Sequence, residues 1–186
     1  MTLRDKLFSF NGRLRRRDWW LFSILLFLTQ TATTRVVETL LFGADDDLAQ
    51  GNIVTWFLGP ADATGSSLVA FLIALIFLWP VLAVTVKRCQ DRGNRGIAVV
   101  AIQLAVTAGY LLPPDAYETA GRAADASNLA VATPMILYGV GILVASIYQL
   151  VVLGFLDGTP GSNRFGHSPK AVSEGPPTFI APGGLN

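Results

Sequence analysis

The stretch Lys87-Arg88-Cys89-Gln90-Asp91-Arg92-Gly93-Asn94-Arg95-Gly96 decides how this chain folds, because it places a short charged segment between two long apolar runs. Residues 67–86 before it are almost wholly apolar, and residues 97–112 after it are nearly so. Apolar runs of this length are typical of membrane spans. The stretch therefore predicts a tight polar loop at a membrane surface, with the chain entering hydrocarbon on both sides.

The composition of the whole chain agrees with a lipid environment. The 186 residues have room for one domain, 52% are hydrophobic and only 15% are charged. The mean hydropathy of +0.49 is above that of ordinary soluble domains. Because a soluble protein needs a polar surface to stay dispersed, this balance predicts an integral membrane protein.

The charges are segregated along the sequence although the formal net charge is only +1. Basic residues concentrate in residues 1–18 and 87–95, whereas the connections at 43–66 and 113–133 are predominantly acidic. Lysine and arginine in short loops mark the cytoplasmic side of a membrane protein. We therefore expect the amino terminus and the 87–95 loop in the cytoplasm, and the acidic loops outside.

The apolar pattern predicts an all-α integral membrane protein with four transmembrane helices and both termini cytoplasmic. A basic segment before a short apolar run also fits a secretory signal peptide, but apolar character resumes at Val36 and no clear cleavage site follows. The predicted spans of the membrane domain, residues 19–156, are 19–42, 68–86, 97–112 and 129–156.

Three segments flank this membrane domain. Residues 1–18 are expected to form a basic segment at the cytoplasmic interface. Residues 157–170 are rich in glycine, proline and asparagine, which predicts a cytoplasmic turn motif. Residues 171–186 are typical of a disordered tail.

Few polar residues interrupt the spans. Gln30, Gln103 and Gln149 are the uncharged ones with long polar side chains, and Arg35 and Glu38 are spaced to pair on one helix face. The small residues Gly141-x-x-x-Ala145 offer a face for close helix packing, inside the molecule or, as the second alternative, in a dimer.

Three motifs fall on the expected cytoplasmic side, and together they carry a family resemblance. They are Phe10-x-Gly12-Arg13-x-x-Arg16-x-x-Trp19, Lys87-Arg88-x-x-Asp91-x-Gly93-x-x-Gly96, and Gly158-Thr159-x-Gly161-x-Asn163-x-Phe165-Gly166-x-x-Pro169. Their order and spacing resemble the domain-of-unknown-function 805 family of bacterial inner-membrane proteins. The resemblance implies a small multi-helix membrane protein and implies no biochemical activity.

The central motif departs from the usual family pattern. Lys87, Cys89 and Gln90 stand where arginine, leucine and histidine are usual, and Ile97-Ala98 stands where tryptophan is common. Glutamine cannot titrate near neutral pH as histidine does. An acid–base role for this segment is accordingly in doubt.

We expect the three motifs to meet in a structural cluster in which Asp91 accepts from Arg88, Arg13 or Arg16 and Asn163 bonds the loop backbone. The alternative is that these charges only fix orientation, as basic residues beside spans commonly do. The candidate residues are Gly12, Arg13, Arg16, Trp19, Arg88, Asp91, Gly93, Gly96, Gly161, Asn163 and Gly166.

The sequence contains no recognisable catalytic, cofactor-binding or metal-binding motif, since it has a single histidine and a single cysteine. We therefore expect a non-enzymatic, structural or partner-binding membrane component. Its expected partners are the bilayer, with anionic lipid at the cytoplasmic face, and a protein partner or a second copy. Nucleic acid is not expected. A small channel or transporter subunit is the second interpretation, and a membrane-embedded enzyme acting on lipid is the third.

Overall fold

The structure, a computed structural model, describes residues 2–43, 66–111, 122 and 129–169. The expected outer loops and the 171–186 tail lie outside these residues. The described part is helical and contains no strand beyond an isolated bridge between Asn163 and Gly166. The helices are α1 (Leu3–Phe8), α2 (Arg16–Phe42), α3 (Ser66–Asp91), α4 (Ile97–Ala108) and α5 (Leu129–Gln149).

Two of these helices are extended by short turns of a different pitch. A 3₁₀ turn, Gly109–Leu111, follows α4, and a π-helical stretch, Leu150–Phe155, follows α5. Among the described residues, three segments are long and apolar enough to cross a membrane, namely Arg16–Phe42, Leu68–Asp91 and Ala132–Phe155. The helical class is thus confirmed, with three candidate membrane-spanning helices.

The predicted third span is shorter than a full crossing. Helix α4 has 12 residues, which at 1.5 Å per residue cover about 18 Å of a hydrocarbon core about 30 Å thick. Its predicted end at Leu112 lies outside the described residues. A fourth crossing therefore stays a prediction.

Helix α3 is the centre of the fold. Within its spanning segment 44% of the residues are buried, against 11% for α2 and 6% for the last helix. It contacts α1, α2, α4 and the π-helical stretch. The core around it contains Leu14, Trp19, Leu26, Val84, Cys89, Val99 and Leu153.

The outward faces of the long helices are apolar. Leu25, Ile76 and Leu143 are examples of large side chains that are at least half exposed. Exposed apolar surface of this extent is unfavourable in water but normal against lipid. The core is therefore small and lies close to α3, while the rest of the apolar surface suits a bilayer.

Helix α3 also corrects the opening prediction. The expected loop over Lys87–Gly96 is wrong for its first half, because α3 continues through Asp91 and only Arg92–Gly96 form the turn into α4. The charged residues at the end of α3 are buried and bonded within the protein, so they need no contact with water. Sequence polarity alone placed the end of the helix too early.

Two smaller expectations have different outcomes. Arg35 and Glu38 form the expected ion pair, with Nη1 and Oε2 3.7 Å apart. Gly141 does not pack inside the described molecule, because a Cβ added there would meet no described atom within 4 Å. Gly141 therefore faces open space in the described part of the chain, and the packing use of the Gly141-x-x-x-Ala145 face stays a prediction.

Candidate functional site

The three predicted motifs converge at the carboxyl end of α3. Gly12 adopts a positive φ of 106° and turns the chain toward α3, so that the Leu14 N–H donates to the Lys87 carbonyl at 3.3 Å. Gly93 and Gly96 adopt φ values of 74° and 79° in the turn that follows α3. These left-handed positions favour glycine because it has no Cβ.

The Asp91 carboxylate joins two of the motifs. Its Oδ1 accepts from Arg13 Nε at 3.0 Å, and its Oδ2 accepts from Arg88 Nη1 at 2.5 Å. All three side chains are buried, with exposed fractions of 7% for Asp91, 2% for Arg13 and 1% for Arg88. Such pairs are held by charge-assisted hydrogen bonds in a weakly screened environment. We call Arg13, Arg88, Asp91, Thr159 and Asn163 the Asp91 cluster.

The remaining donors of Arg13 are directed at backbone carbonyls. Nη1 donates to Gly161 at 2.6 Å and to Gly166 at 3.3 Å, while Nη2 donates to Thr159 at 2.5 Å and to Asp91 at 3.3 Å. A guanidinium has five N–H donors. These four bonds to carbonyls and the Nε bond to the Asp91 carboxylate use all five. Arg13 therefore binds the segment after the last helix to the end of α3.

The segment after the last helix completes the cluster. Thr159 donates to the Asp91 carbonyl through its backbone N–H at 2.9 Å and its hydroxyl at 3.0 Å. Asn163 Nδ2 donates to the Gln90 carbonyl at 2.9 Å, the contact expected between Asn163 and the loop backbone. Asn163 also exchanges backbone hydrogen bonds with Gly166, which closes the turn.

Gly158 allows the segment after the last helix to lie close to the Asp91 side chain. A Cβ added at Gly158 would overlap the Asp91 carboxylate. Only glycine therefore lets the chain pass so close to this side chain. The sequence motif contained Gly158 and Thr159, but their roles against Asp91 were not predicted.

A second set of bonds caps the end of the last helix, and no sequence motif predicted it. Five consecutive carbonyls there accept from side chains of other segments. Val152 accepts from Arg92, Leu153 and Leu156 from Arg88, Gly154 from Trp20, and Phe155 from Arg16. The last carbonyls of a helix lack intrahelical partners and carry partial negative charge, so cationic donors stabilise them.

Lys87 caps the last carbonyls of α1 in the same way. Its side chain is fully buried, and Nζ donates to the carbonyls of Asp5 at 2.6 Å and Lys6 at 2.5 Å. At the other end of α1, hydrogen bonds from Thr2 lower the pKa of Asp5 and form a capping box. Lys87 therefore fixes the amino-terminal helix on α3.

These contacts decide between the expected acceptor pairs of Asp91. Arg13 and Arg88 make the expected contacts, and both are buried, as is Lys87. Arg16 does not reach Asp91. It lies 3.6 Å from Asp157, and both of these side chains are largely exposed.

Trp19 also lies apart from the Asp91 cluster. It is part of the hydrophobic core, with its ring edge-on to Trp20 at 5.2 Å between centroids. The remaining candidate glycines, Gly161 and Gly166, serve the cluster through their carbonyls and have positive φ values of 68° and 124°.

The polar groups of this site form hydrogen bonds with one another. His167 is exposed and contacts Ser162 at 2.8 Å. In the ranges that the structure describes, no group of three or more histidine, cysteine, aspartate or glutamate residues is placed to hold a metal ion. The donors of Arg13 are all engaged by the protein itself.

Comparison with known proteins places these motifs in a wider group. The chain is 29% identical over 175 residues to the uncharacterized protein YiiR of Escherichia coli strain K12, covering 92% of this chain and 93% of that protein. The same protein from Escherichia coli O157:H7 matches equally well. No solved structure matches the chain. The profile of the family described as "Protein of unknown function (DUF805)" matches residues 7–167, which include all three motifs, and the chain belongs to that family.

Proposed function

We propose that this protein is a four-span bacterial inner-membrane protein with both termini in the cytoplasm, acting as a non-enzymatic structural or partner-binding component. The apolar exterior of the long helices and the basic segments at one end support this placement. The Asp91 cluster is the central structural element of the proposal.

The observation that carries the proposal is the complete internal use of the Arg13 donors. A substrate-binding arginine must leave donors free for its ligand, whereas each donor of Arg13 has an acceptor within the chain. Arg88 likewise donates to Asp91 and to two carbonyls of the last helix. This arrangement favours a scaffold that fixes the amino-terminal segment and the chain after the last helix on α3.

The topology is tested by cysteine labelling in intact cells. In a Cys89→Ala background, Asp46→Cys and Ser162→Cys are labelled with an impermeant thiol reagent, before and after permeabilisation. The four-span proposal predicts that Asp46→Cys reacts from outside and Ser162→Cys only after permeabilisation. Reaction of both from the same side contradicts it.

The surface for partners is the exposed part of the basic face. Arg17, Arg95 and Arg164 remain exposed after the buried basic residues are excluded. Each such residue near an anionic membrane contributes about 1 kcal/mol to lipid attraction. The same residues are available to a protein partner or a second copy.

Photo-crosslinking in native membranes tests the partner role. A photoreactive residue is placed at Arg95 or Arg164, with Leu143 on the lipid-facing side as the matched control. We expect a discrete protein adduct from position 95 or 164 and none from position 143. Absence of any discrete adduct from positions 95 and 164 contradicts partner binding.

A small channel or transporter subunit is the second candidate, and two cavities between the helices with glutamine side chains in their walls favour it. Both are lined by Gln30 and Gln103. Substrate-dependent flux into proteoliposomes that disappears in Gln103→Leu would support this candidate. Equal flux in the variant would oppose it.

A further inference from the structure

Two cavities adjoin within the helical bundle, away from the Asp91 cluster. Their volumes are about 230 Å³ and 260 Å³, and the lining of both includes Phe27, Gln30, Val81 and Gln103. On α2 the lining runs from Trp19 to Thr31, which corresponds to about 18 Å along the helix axis. We call these two adjoining cavities together the glutamine cavity.

Two of the glutamine amides that line the glutamine cavity lack protein partners among the described residues. Neither the Gln30 nor the Gln103 amide makes a hydrogen bond within the described ranges of the chain. Gln149 Nε2 makes only a long bond, 3.4 Å, to the Val99 carbonyl. The buried Nε1 of Trp19, another lining residue, has no partner either.

Gln30 and Gln103 are partly buried side chains on the cavity wall. A polar amide in an apolar environment is unfavourable unless it finds a hydrogen bond. Lipid tails offer no donor or acceptor to compensate. The amides of Gln30 and Gln103 and the N–H of Trp19 therefore point to an occupant that supplies the missing hydrogen bonds.

The lining also restricts the charge and size of that occupant. No described charged side chain lines either cavity, so an ion would have no counter-charge there. The amides offer both donors and acceptors, while Leu26, Phe27, Leu78 and Val81 supply apolar walls. These properties suit a small uncharged molecule that carries hydroxyl or amide groups.

We propose that the glutamine cavity binds a small, uncharged, hydroxyl- or amide-bearing molecule inside the membrane domain. This site is separate from the Asp91 cluster and does not depend on the proposed structural role. Binding here also does not require transport, so it is tested directly.

The test uses the full-length protein in lipid vesicles, in a Cys89→Ala background. Ser23→Cys places a thiol on the cavity wall, Leu25→Cys places one on the lipid-exposed face, and Ser162→Cys is an exposed reference. The reagent is methyl methanethiosulfonate, which is small and uncharged. Because the thiolate is the reactive form, a thiol in a polar cavity should react about tenfold faster than one facing lipid.

Occupancy is measured by protection with glycerol and acetamide as probes, relative to the Ser162→Cys reference under the same conditions. We expect either probe to slow the Ser23→Cys reaction about threefold at a concentration of about twice its dissociation constant, and inorganic phosphate to have no effect. Gln103→Leu should abolish the protection, and Gln30→Leu serves as a second variant if the first does not fold.

Three outcomes overturn the proposal. Equal reaction of Ser23→Cys and Leu25→Cys would show that the cavity is closed to polar reagents. Fast reaction without protection by either probe would show that the cavity holds water only. Protection that persists unchanged in both glutamine variants would place the binding site elsewhere.

Discussion

The Asp91 cluster and the glutamine cavity contain polar side chains in two different states. In the Asp91 cluster, the carboxylate accepts from two arginines at 3.0 and 2.5 Å, and all the donors of Arg13 are engaged. In the glutamine cavity, the amides of Gln30 and Gln103 have no hydrogen-bond partner in the described segments, although both line open space.

This difference separates structural polarity from polarity that is open to a ligand. A buried ion pair with every donor used fixes neighbouring segments and is costly to break on one side. A polar group that lines a cavity and lacks a partner contributes little to the stability of the folded state. It remains able to form a hydrogen bond with an incoming molecule. We therefore assign stability to the Asp91 cluster and binding to the glutamine cavity.

Removing the Asp91 carboxylate should have the largest effect on stability. Asp91→Ala leaves the buried guanidinium groups of Arg13 and Arg88 without their counter-charge. We expect the free energy of unfolding to fall by about 3–5 kcal/mol. Denaturant titration in detergent micelles measures this loss.

The matched control for that variant is Asp157→Ala, which removes an aspartate whose side chain is 65% exposed. A change within about 1 kcal/mol is expected there because exposed ion pairs contribute little. Equal losses in the two aspartate variants would contradict the structural role of Asp91.

Adding a methyl group at Gly158, next to the Asp91 carboxylate, should have an intermediate effect on stability. The Cβ of Gly158→Ala would overlap the Asp91 side chain, so the chain after the last helix must shift. We expect a loss of about 1–3 kcal/mol, the usual cost of overpacking a filled site. Thermal unfolding of the detergent-solubilised protein is the measurement.

Gly141→Ala is the control for Gly158→Ala, since no described atom lies within 4 Å of its added Cβ. That variant should be neutral or slightly stabilising, because alanine favours a helix interior. If both alanine variants melt at the same temperature as the wild type, the close approach of Gly158 is unimportant.

Changing the glutamine cavity should have the smallest effect on stability. Gln103→Leu removes an amide that has no protein partner, and we expect a change within about 0.5 kcal/mol in unfolding free energy. The same denaturant titration measures it. A loss as large as that of Asp91→Ala would show that the amide serves the fold, and the contrast between the two regions would fail.

Much of the architecture follows from the sequence because membrane-spanning helices depend on apolar length. The predicted spans 19–42 and 129–156 correspond to α2 and to α5 with its π-helical stretch. The end of α3 was misplaced, since Lys87, Arg88 and Asp91 seemed too polar for a buried helix. Their burial depends on partners from distant segments, and hydropathy contains no information about such partners.

The Asp91 cluster was predictable only in part, because some of its contacts follow from helical spacing and others depend on how distant segments dock. Arg88 and Asp91 are three residues apart on one helix, so their contact follows from helical geometry. The choice of Arg13 over Arg16, and the use of helix-end carbonyls by Arg88, depend on how the segments dock. The glutamines were visible as polar residues in apolar runs, but only the packed helices show that two of them line a common space.

If Arg13 and Asp91 stabilise the fold through each other, a double-mutant cycle will detect their coupling in the free energy of unfolding. The free energy of unfolding is measured for the wild type, Arg13→Ala, Asp91→Ala and the double variant. We predict that the double variant is less destabilised than the sum of the single variants, with a coupling energy of about 2–3 kcal/mol. Single losses that add to within about 0.5 kcal/mol would show that the two residues act independently, and this would contradict the account.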